Sequence, residues 1–334
     1  MRIQTNIQNL NNYKIYLQIE QAVNEFLQKK GYLKLDLPVL SPALIPESYL
    51  EVFETGFLYF DKKDKLYLTP SPELFMKRLI AYGVGDCYYL GKSFRNNEAN
   101  SSLHSFEFNM LEFYKVNASY MDIADEVLEM LNYIKQKIIK AKLKIKGRNL
   151  DFSRFEKLKV MEAFERWAGI SESELFNHQL FIEKARKKGY QVAGFSYEEL
   201  WSQIYVQEIE PYLGKNGYPT LIYDYPKEFA ALAKLNSDNK TAQRFEFYIE
   251  GVELGDCYTE LTDWREQQMR FKEEAEKRKK IGRIVHPIDK GFIDALKYGL
   301  PSCAGIAIGF DRLVMVFLGE NSINNFKLIT INEN

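Results

Sequence analysis

Arg95 stands in the run Ser93-Phe94-Arg95-Asn96-Asn97-Glu98, which ends one strand, and a second run opens at His104 and continues through Ser105 to Tyr114. If that second run is a strand, Phe108, Met110, Glu112 and Tyr114 share a face, because alternate side chains of a strand point the same way. A carboxylate and a phenol beside two large apolar groups make a pocket for an amine on an aliphatic stem. The plainer alternative is an amphipathic strand with exposed Glu112 and Tyr114. A second constellation runs from Arg244 to Leu254 and on to Tyr258-Thr259-Glu260-Leu261. Glu246 and Glu253 flank a turn there and could converge across a hairpin. Paired carboxylates near phosphates are how Mg²⁺ is usually held, although two glutamates are also an ordinary surface pattern. The third constellation is Gly305-Ile306-Ala307-Ile308-Gly309-Phe310-Asp311-Arg312-Leu313. Its small residues allow close backbone approach. It delivers Arg312 into the first turn of a helix, where anions are favoured and a guanidinium can grip a phosphate with two donors. Arginine opposes the helix dipole, so it needs an anionic partner, either a phosphate or a nearby carboxylate. Neither a GxxxxGK[ST] loop nor a dinucleotide fingerprint occurs.

The elements that must position these groups follow from periodicity. Residues 14–30 have Ile15, Ile19, Val23, Phe26 and Leu27 at helical spacing, with Gly31 at the end. Residues 32–38 read as a strand, and Pro38, Pro42 and Pro46 punctuate an extended segment after it. A helix is predicted over 73–82, strands over 87–95 and 107–116 with a polar loop at 96–102, and a helix over 121–143. Residues 144–213 read as mostly helical. Strands return at 221 and over 244–254, turned at Glu250-Gly251, and a highly charged helix with a solvated face is expected over 265–280. A strand at 305–310 runs into a helix at 311–318. Hairpins with interspersed helices predict an α+β fold with a mainly antiparallel sheet. No linker divides the chain, so residues 1–334 read as one domain.

Bulk properties narrow the function class. Charged residues are 27% of the chain and balance to a net charge of −1, without the basic excess of a protein that grips long nucleic acid. Cys87, Cys257 and Cys303 are far apart and unpaired in sequence, so a disulfide framework or zinc site is not expected. Residues 1–12 lack the apolar core of a signal peptide, and the most apolar stretch, 300–310, is too short to span a membrane. A soluble cytoplasmic protein is the expectation.

In this order and spacing the motifs resemble those of class II aminoacyl-tRNA synthetases in their lysyl form. Leu35-Asp36-Leu37-Pro38-Val39-Leu40 resembles motif 1, whose proline lies at the dimer interface of that family. The hairpin from Phe94-Arg95 to Tyr114 resembles motif 2, and Gly305 to Arg312 with Leu313-Val314-Met315 resembles motif 3. Lysyl enzymes carry an anticodon-binding β-barrel before the catalytic domain. Here the first catalytic helix starts near residue 14, so no such domain is expected. That shape is similar to the bacterial elongation factor P lysyltransferases. So are Glu260-Leu261-Thr262-Asp263-Trp264-Arg265-Glu266-Gln267-Gln268 and His286-Pro287-Ile288-Asp289.

The resemblance implies an ATP-dependent, AMP-forming ligase with Mg²⁺. It would activate (R)-β-lysine or lysine and pass it to a lysine side chain of elongation factor P. It further implies a homodimer without stable tRNA binding. By the same resemblance, Ser71-Pro72-Glu73 holds the substrate amino group, and Arg95 binds the α-phosphate and substrate carboxylate. Asn96, Asn97, Glu98, His104, Ser105, Leu254 and Gly309 belong to the ATP side, Phe108 stacks on adenine, and Arg312 covers adenine and the γ-phosphate. Glu246 and Glu253 match the magnesium carboxylates; Glu112, Tyr114 and Glu260 receive the side-chain ammonium, with Asp256 and Tyr258 beside them. Ala307 stands where lysyl-tRNA synthetases have glycine, which implies a preference for (R)-β-lysine. Three positions depart from the family: the extra residue in Arg95-Asn96-Asn97-Glu98, Ser105 in place of asparagine, and Asp256, which adds possible negative charge. Rival readings are a truncated lysyl-tRNA synthetase paralogue that charges RNA, an ammonia-dependent asparagine synthetase, and a catalytically silent regulatory module. Glu112 and Glu260 argue against an aspartate pocket.

Overall fold

Alternation along single strands divides the molecule into a packed side and a working side. In Cys303–Gly309, Ala304, Ile306 and Ile308 enter an apolar core, whereas Gly305, Ala307 and Gly309 face a cavity on the opposite side. The computed structural model describes residues 1–98, 101–140 and 150–331.

Among these, eight strands form the main sheet: β1 (Leu33–Lys34), β2 (Cys87–Phe94), β3 (Glu107–Val116), β4 (Glu156–Lys159), β5 (Thr220–Pro226), β6 (Thr241–Ile249), β7 (Val252–Thr259) and β8 (Cys303–Gly309). Their order is β1-β2-β3-β8-β7-β6-β5-β4. Only the two outer pairs, β1 with β2 and β4 with β5, are parallel. The fold is therefore α+β with a mostly antiparallel sheet, as the hairpin pattern predicts.

Helices α1 (Ile7–Lys29), α3 (Tyr120–Lys140) and α6 (Phe310–Leu318) cover one face and share a core with Leu111, Phe113, Phe245, Phe247 and Ile306. On the other side α2 (Glu73–Ala81), α4 (Trp264–Lys280) and α5 (Lys290–Gly299) pack around Cys87, Tyr89, Tyr114 and Cys303. Short helices between 160 and 209 bury Phe164, Trp201 and Tyr205 in a third core beside β4 and β5. No helix among the described residues is long and apolar enough to cross a membrane.

Several elements differ from the sequence reading. Helix α1 begins at Ile7 rather than at residue 14, because Asn6 caps it by accepting from the Asn9 amide. The polar Asn9 and Asn12 are buried there because both donate to the Asn325 carbonyl, a partner invisible to local periodicity. The helix expected to end at 143 is observed as Tyr120–Lys140; residues 141–143 lie outside the described residues, as do 144–149 of the mixed stretch and 99–100 of the polar loop. The segment after Pro38 holds an unforeseen three-stranded sheet, Leu40–Ser41, Glu54–Tyr59 and Lys62–Leu68. Helix α4 is not a wholly solvated charged helix: Gln267, Phe271 and Arg278 are buried along one side. Counting charges hides such a stripe, because an arginine is buried when enough carbonyls receive it. Arg278 donates to the carbonyls of Glu47, Leu50 and Ile284 and to the Glu51 carboxylate.

Candidate active site

Strand register assembles the site in rows. Glu112 on β3 lies opposite Ala307 on β8, Ala307 opposite Asp256 on β7, and Asp256 opposite Glu246 on β6. Two residues along, Tyr114, Gly305, Tyr258 and Arg244 form the next row on the same face. Gly305 is needed there, since a β-carbon would run into the Tyr114 ring.

One end of the cavity is acidic. Glu112 is 2% exposed and accepts from Ser71 Oγ at 2.8 Å and from the Tyr114 hydroxyl at 2.8 Å. Tyr258 donates to Glu73 at 2.7 Å. The buried ammonium of Lys77 pairs with both Glu73 and Glu260. Glu260 Oε1 is buried with no donor among the described residues. Burial, reinforced by the charge of Glu73, pushes Glu112 up to about 8. Glu260 rises to about 8 from burial and the Glu73 charge, against the pull of Lys77. Burial disfavours the charged form of Lys77, but Glu260 and Glu73 outweigh it and hold the group above its ordinary value. Three carboxylates around one resident cation leave the pocket short of positive charge.

The other end carries two guanidinium groups in different states. Arg312 is held in place: Nε donates to the Leu103 carbonyl at 3.1 Å, Nη1 to the Glu253 carbonyl at 3.1 Å, and Nη2 lies 2.7 Å from His104 Nε2. Burial and the Arg312 charge lower the His104 pKa, which favours a neutral ring whose Nε2 accepts. Next to Arg312, Asp311 accepts from the Asn109 amide and side chain, pinning α6 to β3. Arg95 instead has a buried Nε with no partner, and its guanidinium carbon is 5.3 Å from the Phe108 ring centre. A buried guanidinium nitrogen without a partner, on a residue that lines a cavity, calls for an anion.

Of the residues singled out from sequence, all line this cavity except Pro72, Asn96, Asn97, Glu246 and Glu260. Pro72 caps α2. Asn96 is turned to the Val52 carbonyl, and Asn97, at φ 60°, takes the extra residue outward, so Glu98 is the one that returns to the cavity wall. Glu260 reaches the site only through Lys77. The charge expected from Asp256 is corrected by its partner: Arg244 donates to it through Nε at 2.9 Å and pairs with its other oxygen at 2.9 Å.

Arg244 also binds Glu246 at 2.9 Å, and Tyr248 donates to the second Glu246 oxygen at 2.8 Å. Burial, opposed by Arg244 and reinforced by Glu253, pushes Glu246 up to about 7. A magnesium ion bound mainly by substrate phosphates needs only one or two carboxylates. Glu253 at the cavity wall, with Glu246 within range of its charge, fits that modest requirement.

Lys77, Arg244 and Glu47 belong to this surrounding and were not singled out from sequence. Lys77 had a legible signal, four residues after Glu73 on one helix. Arg244 alternates with Glu246 and so shares its face. Glu47, which lines the cavity, had none.

Comparison with known proteins agrees with this geometry. The family described as tRNA synthetases class II (D, K and N) matches residues 2–330. An elongation factor P--(R)-beta-lysine ligase of Avibacterium paragallinarum is 36% identical over 306 residues, covering 90% of this chain and 89% of that protein. The protein of the same name from Yersinia enterocolitica is 35% identical over 312 residues, with coverage of 92% and 91%. That of Salmonella dublin is 35% identical over 318 residues, with coverage of 94% and 93%.

Proposed function

The chain belongs to the class II tRNA synthetases (D, K and N) and is homologous to elongation factor P--(R)-beta-lysine ligases, and on that premise we propose that it activates (R)-β-lysine or lysine with ATP and transfers it to a lysine side chain of elongation factor P. The observation that carries this reading is the polarity of one cavity: buried carboxylates in excess of their resident cation at one end, and the unpaired Arg95 at the other. A diammonium acid and a polyphosphate are complementary to those two ends.

In the first step the substrate carboxylate attacks the α-phosphorus of ATP. The new carboxyl–phosphate bond forms as the bond to the β-phosphate oxygen breaks, and pyrophosphate leaves. Arg95 grips the α-phosphate, Arg312 covers the far side of the nucleotide, and Phe108 takes the adenine. Glu73 orients the substrate amino group, while Glu112, backed by Ser71 and Tyr114, receives the side-chain ammonium. Magnesium held by Glu253 and Glu246 would neutralise phosphate charge. Such catalysis works by positioning and preorganised charge rather than by a covalent enzyme intermediate.

ATP–pyrophosphate exchange with (R)-β-lysine, lysine and aspartate tests the activation step. Exchange with the two diamino acids is expected, and its absence with every amino acid would favour a silent module. Intact-mass measurement of elongation factor P beside tRNA acylation separates the acceptors.

The amino-acid KM is expected to fall as pH rises through about 8, because Glu112 binds a cation best when ionised and is largely protonated below that value. A KM that stays flat across this range in exchange assays would mean that other groups receive the ammonium.

Ala307 lies between Glu112 and Asp256 in the row and lines the cavity, and in this reading its methyl meets the substrate backbone. Ala307→Gly is expected to shift the kcat/KM ratio toward α-lysine by about 1–3 kcal/mol. An unchanged ratio would remove this residue from the account of specificity.

A further inference from the structure

We propose that Glu47 is the base that accepts a proton from the incoming amine in the transfer step, an inference that rests on the acyl-transfer reading above. Adenylation needs no such group, because its nucleophile is already a carboxylate. Transfer does, because an amine that becomes an amide must shed a proton.

A suitable base must line the cavity, lie close to the reacting carbonyl and have a carboxylate that no resident side chain holds. Most acidic groups of the cavity fail the last condition. Glu112 accepts from Ser71 and Tyr114, Glu73 is held by Tyr258 and Lys77, and Asp256 is paired twice with Arg244. Glu253 pairs with Arg312 at 3.4 Å. Glu98 comes after the bulge at Asn97, and its charge acts on His104, on the nucleotide side.

Glu47 meets all three. It is partly buried and lines the cavity, and no hydrogen bond or ion pair among the described residues occupies its carboxylate. The charges acting on it come from Glu73 on α2, Arg95 at the end of β2, and Glu274 and Arg278 on α4. It is therefore in range of both the group assigned to the substrate amine and the group assigned to the α-phosphate, and the acyl carbonyl lies between those two. Its backbone is fixed: the buried Arg278 donates to the Glu47 carbonyl at 2.6 Å, and Glu274 accepts from the Ser48 amide at 2.9 Å. Burial and the Glu73 charge push its carboxyl up to about 7 against the pull of Arg95, a value matched to proton transfer near neutrality.

In this step the neutral ε-amine of the acceptor attacks the adenylate carbonyl. The N–C bond forms as the bond from that carbon to the phosphate oxygen breaks, and AMP leaves with the electron pair. The surplus N–H proton passes to a Glu47 oxygen and from there to solvent.

Glu47→Gln keeps the shape and removes the base. Transfer from preformed adenylate to elongation factor P is expected to fall about 10²–10⁴-fold, and ATP–pyrophosphate exchange by far less. The part of the decline in transfer rate below about pH 7 that exceeds the protonation of the acceptor amine is expected to disappear in this variant. Glu47→Asp should recover part of the loss. Discharge of the adenylate by hydroxylamine, a weakly basic nucleophile that is largely neutral under these conditions, should suffer much less than transfer to lysine. Equal losses in exchange and transfer, hydroxylamine discharge as impaired as transfer, or unimpaired transfer would each overturn the assignment. A wild-type chain that exchanges with no amino acid would instead refute the reading beneath it, so the two failures are distinct.

Discussion

Arg95→Ala is expected to lower ATP–pyrophosphate exchange by about 10²–10³-fold, the usual cost of losing one preorganised donor to developing charge, while leaving thermal stability unchanged or slightly raised. The two halves of this prediction come from one fact. The buried Nε of Arg95 has no partner, so in the free protein that N–H is a desolvated donor without compensation. The ring of Phe108 gives its guanidinium a cation–π contact, at 5.3 Å. Such a group costs the empty fold something and returns it when an anion arrives. Arg312 provides the contrast, because its donors hold Leu103, Glu253 and His104, and its removal should lower both activity and stability. Parallel exchange assays and thermal melts of the two variants decide the matter. If Arg95→Ala melts well below the parent, Arg95 is a structural residue and the phosphate role loses its main support.

Lys77→Met is expected to destabilise the fold by about 3–5 kcal/mol, as happens when one partner of a buried ion pair is removed and the other charge is stranded. Lys77 is 2% exposed and pairs with both Glu73 and Glu260. Without it, two buried carboxylates remain, and the folded-state pKa of Glu260 must rise further above the unfolded one. Protonation then relieves the repulsion, so the deficit should shrink as pH falls and grow as pH rises through about 8, where Glu260 already titrates with the cation in place. Urea unfolding at several pH values measures this directly. The double variant Lys77→Met with Glu260→Gln should regain part of the loss, giving a coupling energy that neither single change explains. Simple loss of packing would instead give a deficit independent of pH and no coupling.

The site was legible in sequence where its logic is local. The alternation that puts Phe108, Met110, Glu112 and Tyr114 on one face follows from the two-residue repeat of a strand, but that this face and the run of small residues leading to Arg312 line one cavity, rather than an exposed surface, was decided by the tertiary structure. The same repeat, with the hairpin turns, determined the α+β class and the antiparallel character of the sheet. What local patterns could not determine was which charges neutralise which. Lys77 answering Glu260 and Arg278 holding the segment at Glu47 join elements distant in the chain, and even Arg244 answering Asp256 depends on the register of a hairpin. The physical reason is the range of the forces. Strand and helix periodicity arises from neighbouring backbone geometry and is written in order along the chain. The ionisation of a buried carboxylate depends on every charge and solvent boundary around it, and only the packed structure decides where those lie.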